Sequence, residues 1–215
     1  MSKFLVFSHG FGVKKDSRGM FTEIAEKFPE YKPVMFDYNL INNETDEVTV
    51  EPYSKQSELL NAELNSIYKS DTDAEITLIC HSQGCIIPCL IKDIKIERAV
   101  LLAPPKILGS NMRRNKNAVK TEQGEFRIPR KDGTTTIVTK EFVEELDKTF
   151  PLELYSNLSN STNSFAVIAK QDEIIRDTDL SALADKVKIY EIDGDHSFTG
   201  KNRKGLMETL SKILN

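Results

Sequence analysis

The chain has 215 residues, which is enough for one well-packed core and short of a clear second domain. Its hydrophobic content of 39% and charged content of 29% are typical of a soluble globular protein, and the net charge of -4 gives no general attraction for nucleic acid. No apolar run approaches the length of a membrane span, so we expect neither a membrane nor a nucleic-acid partner.

The first residues of the chain and its cysteines indicate where the protein is located and whether it binds a metal. The apolar stretch Phe4–Phe7 is too short for a secretory signal peptide, so we predict a cytoplasmic protein. The cysteines, Cys80, Cys85 and Cys89, are odd in number and clustered, which is a poor disulfide framework. With His81 nearby they still match no usual zinc spacing. We therefore predict buried, reduced thiols, no metal and no cofactor.

Short apolar runs alternate with segments of helical spacing along most of the chain. The predicted strands are Lys3–Ser8, Pro33–Tyr38, Ile76–Cys80, Arg98–Ala103, Ser164–Lys170 and Val187–Ile192. The predicted helices are Ser17–Phe28, Tyr53–Lys69, Gln83–Ile94, Lys140–Lys148, Leu152–Leu158, Asp179–Asp185 and Arg203–Leu214. Pro88 should make the third of these helices irregular. Strands that alternate with helices indicate βαβ units, so we predict a doubly wound α/β fold with a mainly parallel sheet of about six strands.

Two segments depart from this rhythm. The stretch Asn39–Pro52 is polar and rich in turn residues, and we predict a loop. Residues 104–150 are also polar, with a small hairpin predicted around Asp132 and Gly133. They hold too few apolar residues for a core of their own. We therefore treat residues 1–215 as a single domain and 104–150 as a lid inserted within it.

The segment Cys80–Gly84, C-H-S-Q-G, joins a predicted strand to a predicted helix. A strand that turns sharply into a helix around a serine is typical of a nucleophile elbow, which exposes the Ser82 hydroxyl at the top of the sheet. Close packing requires small residues two positions before and after the serine. Gly84 meets this requirement, and Cys80 stands where the usual pattern has a glycine.

Ligands of doubly wound sheets bind at the carboxyl ends of the strands. Polar segments follow the predicted strands at this edge. They are His9–Phe11 after the first strand, Ser82 after the third, Lys170–Ile175 after the fifth and Gly194–Phe198 after the sixth. These segments should therefore meet around Ser82.

With the chain order Ser82, Asp172, His196, the sequence resembles the α/β-hydrolase family over nearly its whole length, and within it small bacterial serine acyl-ester hydrolases with a short lid. The resemblance implies that Ser82 is the nucleophile, His196 the general base and Asp172 the acid that orients it. The alternatives for the acid are Asp177, Asp193 and Asp195.

The same resemblance implies an oxyanion hole and a pocket. The N–H groups of Phe11 and Gln83 would bind the oxyanion. We place His9, Gly10 and His81 beside the substrate, although His9 could instead brace the oxyanion loop.

The expected function is hydrolysis of a small or medium carboxylic ester through an acyl-enzyme, with a small-molecule ester as the partner and the oligomeric state open. An amide or peptide hydrolase and a non-catalytic binding protein of the same fold are the alternatives. The segment Lys106–Lys131 carries eight basic and two acidic residues, including Arg113 and Arg114. This charge is either a solvated face or a device that attracts anionic substrates to Ser82.

Overall fold

The computed structural model describes residues 2–109, 116–130, 132–175 and 177–215. In chain order its strands are β1 (Lys3–Ser8), β2 (Lys32–Met35), β3 (Leu40–Asn42), β4 (Glu47–Val50), β5 (Glu75–His81), β6 (Arg98–Leu102), β7 (Val119–Lys120), β8 (Phe126–Pro129), β9 (Thr135–Val138), β10 (Asn163–Ala169) and β11 (Lys188–Ile192). Its helices are α1 (Met20–Lys27), α2 (Tyr53–Ser70), α3 (Lys140–Leu146), α4 (Pro151–Ser159) and α5 (Asn202–Leu214).

Within this described part of the chain, the larger sheet has six strands in the order β11-β10-β6-β5-β1-β2. Every neighbouring pair in it is parallel. The chain builds outwards from β1 to β2 and then reverses direction through β5, β6, β10 and β11. The predicted α/β fold class with a mostly parallel sheet is therefore confirmed, and the reversal brings the carboxyl ends of β1 and β5 side by side.

Helices cover both faces of this sheet because consecutive residues of its central strands are apolar, so that apolar side chains point to both faces. In β1, Val6 packs into the cluster formed with α2 and α4, whereas Leu5 and Phe7 pack with α1 and α5. Both neighbours of a buried strand residue are thus also buried, as expected of a parallel sheet covered on two faces. No helix of the described residues is both long and apolar enough to cross a membrane.

A second sheet has the order β3-β4-β9-β8-β7 and corrects the prediction of a loop at Asn39–Pro52. The β8–β9 hairpin matches the predicted one, but β4 pairs in parallel with β9, with Val48 opposite Thr136. Val48 and Val50 are buried and alternate with more polar neighbours. The apolar pattern of β4 is too short to predict a strand from the local sequence. Its partner strand lies about ninety residues away, so long-range pairing decides the structure.

The predicted helix at Gln83–Ile94 is also wrong. Two 3₁₀ turns, Ser82–Cys85 and Ile87–Leu90, replace it. Their bonds span three residues, as in Ile86 N–H to Gln83 O at 3.0 Å. Pro88 lacks the N–H that a continuous helix needs, so the segment remains in short turns. The predicted helix Asp179–Asp185 is likewise reduced to a 3₁₀ turn, at Ser181–Leu183.

Candidate active site

Ser82 lies at the point where β5 turns sharply into the first 3₁₀ turn. Its φ of 54° is positive, which is uncommon for a residue with a side chain. Residues in such conformations persist only where the surrounding structure holds them, and they cluster at functional sites. The local geometry is that of a nucleophile elbow.

Close packing against the end of β1 explains the small residues of this segment. A Cβ on Gly84 would lie 2.3 Å from Ser8 O and 2.5 Å from His9 O, so only glycine fits. The Ser8 hydroxyl donates to Gly84 O at 2.7 Å. Cys80 is fully buried and pairs with Ser8 across the two strands. These contacts bring the loop after β1 next to the serine.

Ser82, His196 and Asp172 lie in one hydrogen-bonded chain. The Ser82 Oγ to His196 Nε2 distance is 2.9 Å, and the His196 Nδ1 to Asp172 Oδ2 distance is 2.8 Å. Because a carboxylate only accepts, Nδ1 carries the imidazole proton and Nε2 presents its lone pair to the serine. The side chain of Asp172 is fully buried and that of His196 is 10% exposed.

The position of the Asp172 carboxylate is set by main-chain donors. Its Oδ1 accepts from Ile174 N at 2.9 Å and Ile175 N at 2.6 Å, which leaves Oδ2 for His196. The other acids considered from the sequence make different contacts. Asp177 pairs with Lys106, Asp193 lies near Lys170, and Asp195 accepts from Thr199 N. Asp172 is thus the acid that the structure brings to His196.

His81 holds the main chain of His196 in place. Its Nε2 donates to His196 O at 2.9 Å, and its Nδ1 accepts from the Ser17 hydroxyl at 3.1 Å. The rings of the two histidines lie 4.9 Å apart. Burial, followed by the nearby charge of His196, lowers the pKa of His81 to about 3. His81 is therefore neutral at neutral pH.

His9 has a different environment from the one expected of a substrate contact. Its Nε2 accepts from Tyr38 N at 2.9 Å and its Nδ1 donates to Gly10 O at 3.0 Å. Burial lowers its pKa. It is not among the described residues that line the cavity, whereas Gly10 and His81 are. Of the two interpretations, the bracing of the loop after β1 agrees with this placement.

A cavity of about 410 Å³ opens above Ser82. Phe11 and Gln83, the residues expected to supply the oxyanion-hole N–H groups, both line it. Its apolar wall comes from the lid and the loops, and these residues are Val13, Pro105, Ile107, Leu108, Ile128, Phe142, Leu146, Ile174 and Ile175. Charged side chains also reach it, namely Arg18, Arg130, Glu173 and Asp177. It can therefore hold a small, partly apolar molecule with polar groups.

The cysteines take no part in this cavity as far as it is described. All three are free, as predicted, with Cys80 and Cys85 buried and Cys89 partly so. Burial raises the pKa of each thiol, which keeps it protonated. Among the described residues no cluster of three or more histidine, cysteine or acidic side chains could hold a metal ion.

Sequence reasoning missed four residues of the site. Glu173, to which the sequence analysis gives no role of its own, accepts from His196 N at 3.1 Å. Ser17 was assigned only to a helix, yet it bonds to His81. Arg18 received no role, and Arg130 was counted only as part of the basic lid. A side chain that acts on a distant main-chain atom leaves no periodic pattern in the sequence, so only the position of Glu173 beside Asp172 could have drawn attention.

Solved structures of similar fold include esterases and a serine hydrolase. Est1E from Butyrivibrio proteoclasticus is 15% identical, with a TM-score of 0.68 over 99% of this chain and 86% of that one. The esterase domain of a Rhodothermus marinus protein is 16% identical, with a TM-score of 0.66 over 98% of this chain and 85% of that one. An α/β serine hydrolase homologue from Coxiella burnetii is 15% identical, with a TM-score of 0.63 over 100% and 85%.

No protein-family model matches the sequence, and no curated protein matches it. At identities near 15%, likeness to solved structures extends to the fold. The sheet order and these neighbours together show that the chain has the α/β-hydrolase fold that its sequence resembles.

Proposed function

We propose that this protein is a serine hydrolase that cleaves small or medium carboxylic esters through an acyl-enzyme on Ser82. The observation that carries the proposal is the hydrogen-bonded chain from Ser82 through His196 to Asp172, which opens into a cavity of about 410 Å³. Esterases among the structures of similar fold support the reaction class. The buried, oriented acid supports a role for His196 as a base rather than as a surface histidine.

The reaction follows from the positions of the protons. His196 Nε2 takes the Ser82 proton as Oγ attacks the ester carbonyl carbon, which forms a tetrahedral oxyanion. Its collapse breaks the bond to the alcohol oxygen, and the alcohol leaves with the proton from His196. Water then loses a proton to His196 and attacks the acyl-enzyme, which releases the acid and restores Ser82. Asp172 stabilises the imidazolium both when the acyl-enzyme forms and when it is hydrolysed.

The oxyanion-hole assignment to Phe11 and Gln83 rests on their place beside Ser82. The Gly10 position lies so close that a Cβ there would be 3.1 Å from Ser82 Cβ, which brings the following N–H, that of Phe11, near the reacting carbon. Gln83 follows the serine directly at the start of the 3₁₀ turn. Two fixed N–H donors would stabilise the charge that develops on the carbonyl oxygen.

The first test removes the nucleophile. We expect Ser82→Ala to lower kcat for p-nitrophenyl butyrate by on the order of 10⁶, because the variant lacks the hydroxyl that is hydrogen-bonded to His196 Nε2. Its fold should persist, as judged by circular dichroism. A fluorophosphonate should label the wild-type protein on the peptide that contains Ser82, and Ser57→Ala, on α2 outside the cavity, should label normally. Turnover or labelling that survives in Ser82→Ala would refute the proposal.

A comparison of an ester with an amide of the same acyl group tests which leaving group the protein prefers. An amide leaves less readily than an alkoxide or phenolate, and it requires a more effective proton transfer from His196. We therefore expect p-nitrophenyl butyrate to be cleaved faster than butyryl p-nitroanilide. Faster cleavage of the anilide would favour an amide hydrolase, and absence of both activities would favour a binding protein.

A further inference from the structure

The basic residues of the lid differ in their contacts, and some of them pair with acidic side chains. Lys106 pairs with Asp177 at 3.1 Å, and Arg127 pairs with Glu47 on the second sheet. Arg113, Arg114 and Lys131, which the sequence suggested as substrate attractors, lie outside the described residues. The overall charge of the lid therefore does not indicate which charged side chains lie near Ser82. The residues that line the cavity do.

Arg130 lies in the turn between β8 and β9 and lines that wall. Its Nε donates to Thr136 Oγ1 at 2.8 Å, and its guanidinium lies 5.3 Å from the centre of the Phe11 ring. Its Nη2 is buried and meets no acceptor among the described residues. Burial, then the charge of Arg18, lowers the pKa of the guanidinium. A partly buried cation is thus held beside the oxyanion loop by one neutral bond and an aromatic ring.

Arg18, on the loop that follows β1, lines the same cavity. Its neighbour Ser17 is fixed by the bond to His81, and both residues have positive φ, 47° for Ser17 and 60° for Arg18. The loop conformation is therefore an unusual one, held by a contact to the site. It carries an exposed guanidinium to the cavity mouth.

No carboxylate of the described chain pairs with either arginine. The acids of the cavity are engaged elsewhere, since Glu173 accepts from His196 N and Asp177 pairs with Lys106. Asp132, whose charge acts on both arginines, is bound to Thr134 N at 3.1 Å and Thr134 Oγ1 at 2.7 Å. Two guanidinium groups that repel each other therefore border the cavity without a counter-ion among the described residues.

A structural role in bracing the oxyanion loop would explain the position of Arg130, because Arg130 contacts Thr136 and Phe11. It does not explain a second guanidinium at the same cavity. Guanidinium groups bind carboxylates through paired, charge-assisted hydrogen bonds, and an anion between them would relieve their repulsion. We propose that Arg18 and Arg130 form an anion subsite, and that the substrates are esters which carry a carboxylate elsewhere in the molecule. This inference rests on the proposed function and specifies its substrate class.

The kinetic test compares matched pairs of esters. Monoethyl succinate against ethyl butyrate places the carboxylate in the acyl part, and 4-acetoxybenzoate against phenyl acetate places it in the alcohol part. We expect the wild type to favour the anionic member of at least one pair in kcat/KM. That preference should fall by roughly 10-fold or more in both Arg18→Gln and Arg130→Gln, because each loses a hydrogen bond to a charged group. High salt should weaken the wild-type preference.

The control is Arg127→Gln, which removes the same charge from the lid outside the cavity and should leave the preference unchanged. Because the preference is a ratio, a disturbed oxyanion loop in Arg130→Gln affects both esters of a pair and cancels. The subsite is refuted if the wild type shows no preference for either anionic ester, or if the preference survives in both arginine variants. An equal loss in Arg127→Gln would assign the effect to general lid charge and also refute it.

Binding without turnover separates this inference from the proposed function. Calorimetry on Ser82→Ala should show tighter binding of monoethyl succinate than of ethyl butyrate, and the difference should vanish when Arg18→Gln is added. If no ester is hydrolysed by the wild type, the esterase proposal fails while this binding difference can still be measured. If esters are hydrolysed and the binding difference is absent, the subsite fails alone.

Discussion

At the scale of single residues, the base of the proposed triad is positioned through its main chain as well as its ring. His81 donates to His196 O and Glu173 accepts from His196 N, so both peptide groups around the imidazole are anchored. Asp172 then fixes the ring itself. A histidine next to Ser82 in sequence thus holds a residue more than a hundred positions away.

Protonation of His81 should therefore govern part of the acid sensitivity of the fold. In the unfolded chain its pKa is near 6.5, and in the folded protein burial and His196 lower it to about 3. Between these values the unfolded state binds a proton that the folded state does not, so the free energy of unfolding falls as pH drops from about 6.5 towards 3. His81→Gln removes this titration. We expect its unfolding free energy to depend less steeply on pH, by at most about 1.4 kcal/mol per unit.

Urea unfolding of the wild type and His81→Gln between pH 7 and pH 4.5 measures this difference. The pKa of His9 is also lowered by burial, but His9 is present in both proteins and its contribution cancels. Parallel pH dependences for the two proteins would show that His81 is not the buried neutral group inferred here.

The sequence predicts where the side chains of the proposed triad lie better than it predicts the contacts around them. Ser82, Asp172 and His196 each follow a strand of a parallel sheet, and topology alone brings such positions to one edge. The place of Arg18 at the cavity depends on the path of the loop after β1. The role of Glu173 depends on a main-chain N–H that is distant in the sequence, that of His196. No spacing rule encodes those contacts, so only the folded structure shows them.

At the scale of elements, the contact between the end of β1 and the 3₁₀ turn that begins at Ser82 sets the geometry of the site. Gly84 lies against Ser8 and His9 with no room for a Cβ, and the Ser8 hydroxyl closes the contact. The Tyr38 hydroxyl donates in turn to Ser8 Oγ at 3.0 Å, which ties the segment after β2 to the same point.

Gly84→Ala should therefore destabilise the protein by about 1 to 3 kcal/mol or more, because a main-chain shift is needed to relieve the overlap. It should also lower kcat, since the shift moves the loop that carries Phe11 relative to Ser82. Gly205→Ala is the matched control. Its Cβ would meet nothing within 4 Å, and it lies inside α5, where alanine is favoured over glycine by about 0.5 to 1 kcal/mol. Thermal unfolding and ester turnover of both variants provide the comparison, and a Gly84→Ala protein as stable as Gly205→Ala would contradict it.

Element prediction succeeded for the buried central strands and failed where a proline, a tight turn or a distant partner strand decides the structure. The central strands were located within a few residues because both of their faces are buried. The 3₁₀ turns after Ser82 have the apolar content of a helix, but Pro88 and the tight turn prevent one. Strand β4 exists because β9 pairs with it, which a reading of local residues cannot anticipate.

At the scale of the whole molecule, the lid insertion is joined to the rest of the chain by a shared core. Strand β9 of the insertion pairs with β4, which precedes α2. Phe142 of α3 is fully buried, with its ring 5.0 Å from that of Tyr53 on α2 and 5.8 Å from that of Phe11 on the loop after β1. Val138 and Phe142 belong to the same buried cluster as Leu60 and Leu78. Opening of the insertion would therefore expose part of the main core.

We accordingly expect the insertion and the sheet to unfold together. Phe142→Ala leaves a cavity in the shared cluster and should lower the free energy of unfolding by about 3 to 5 kcal/mol. Phe150→Ala is the control, because Phe150 is 66% exposed and its loss should change stability by no more than about 0.5 kcal/mol. Urea unfolding followed by both circular dichroism and tyrosine fluorescence should show one transition, shifted to lower urea for Phe142→Ala alone. An early partial transition in that variant, with the main transition unmoved, would instead mean that the lid is a separately folding unit.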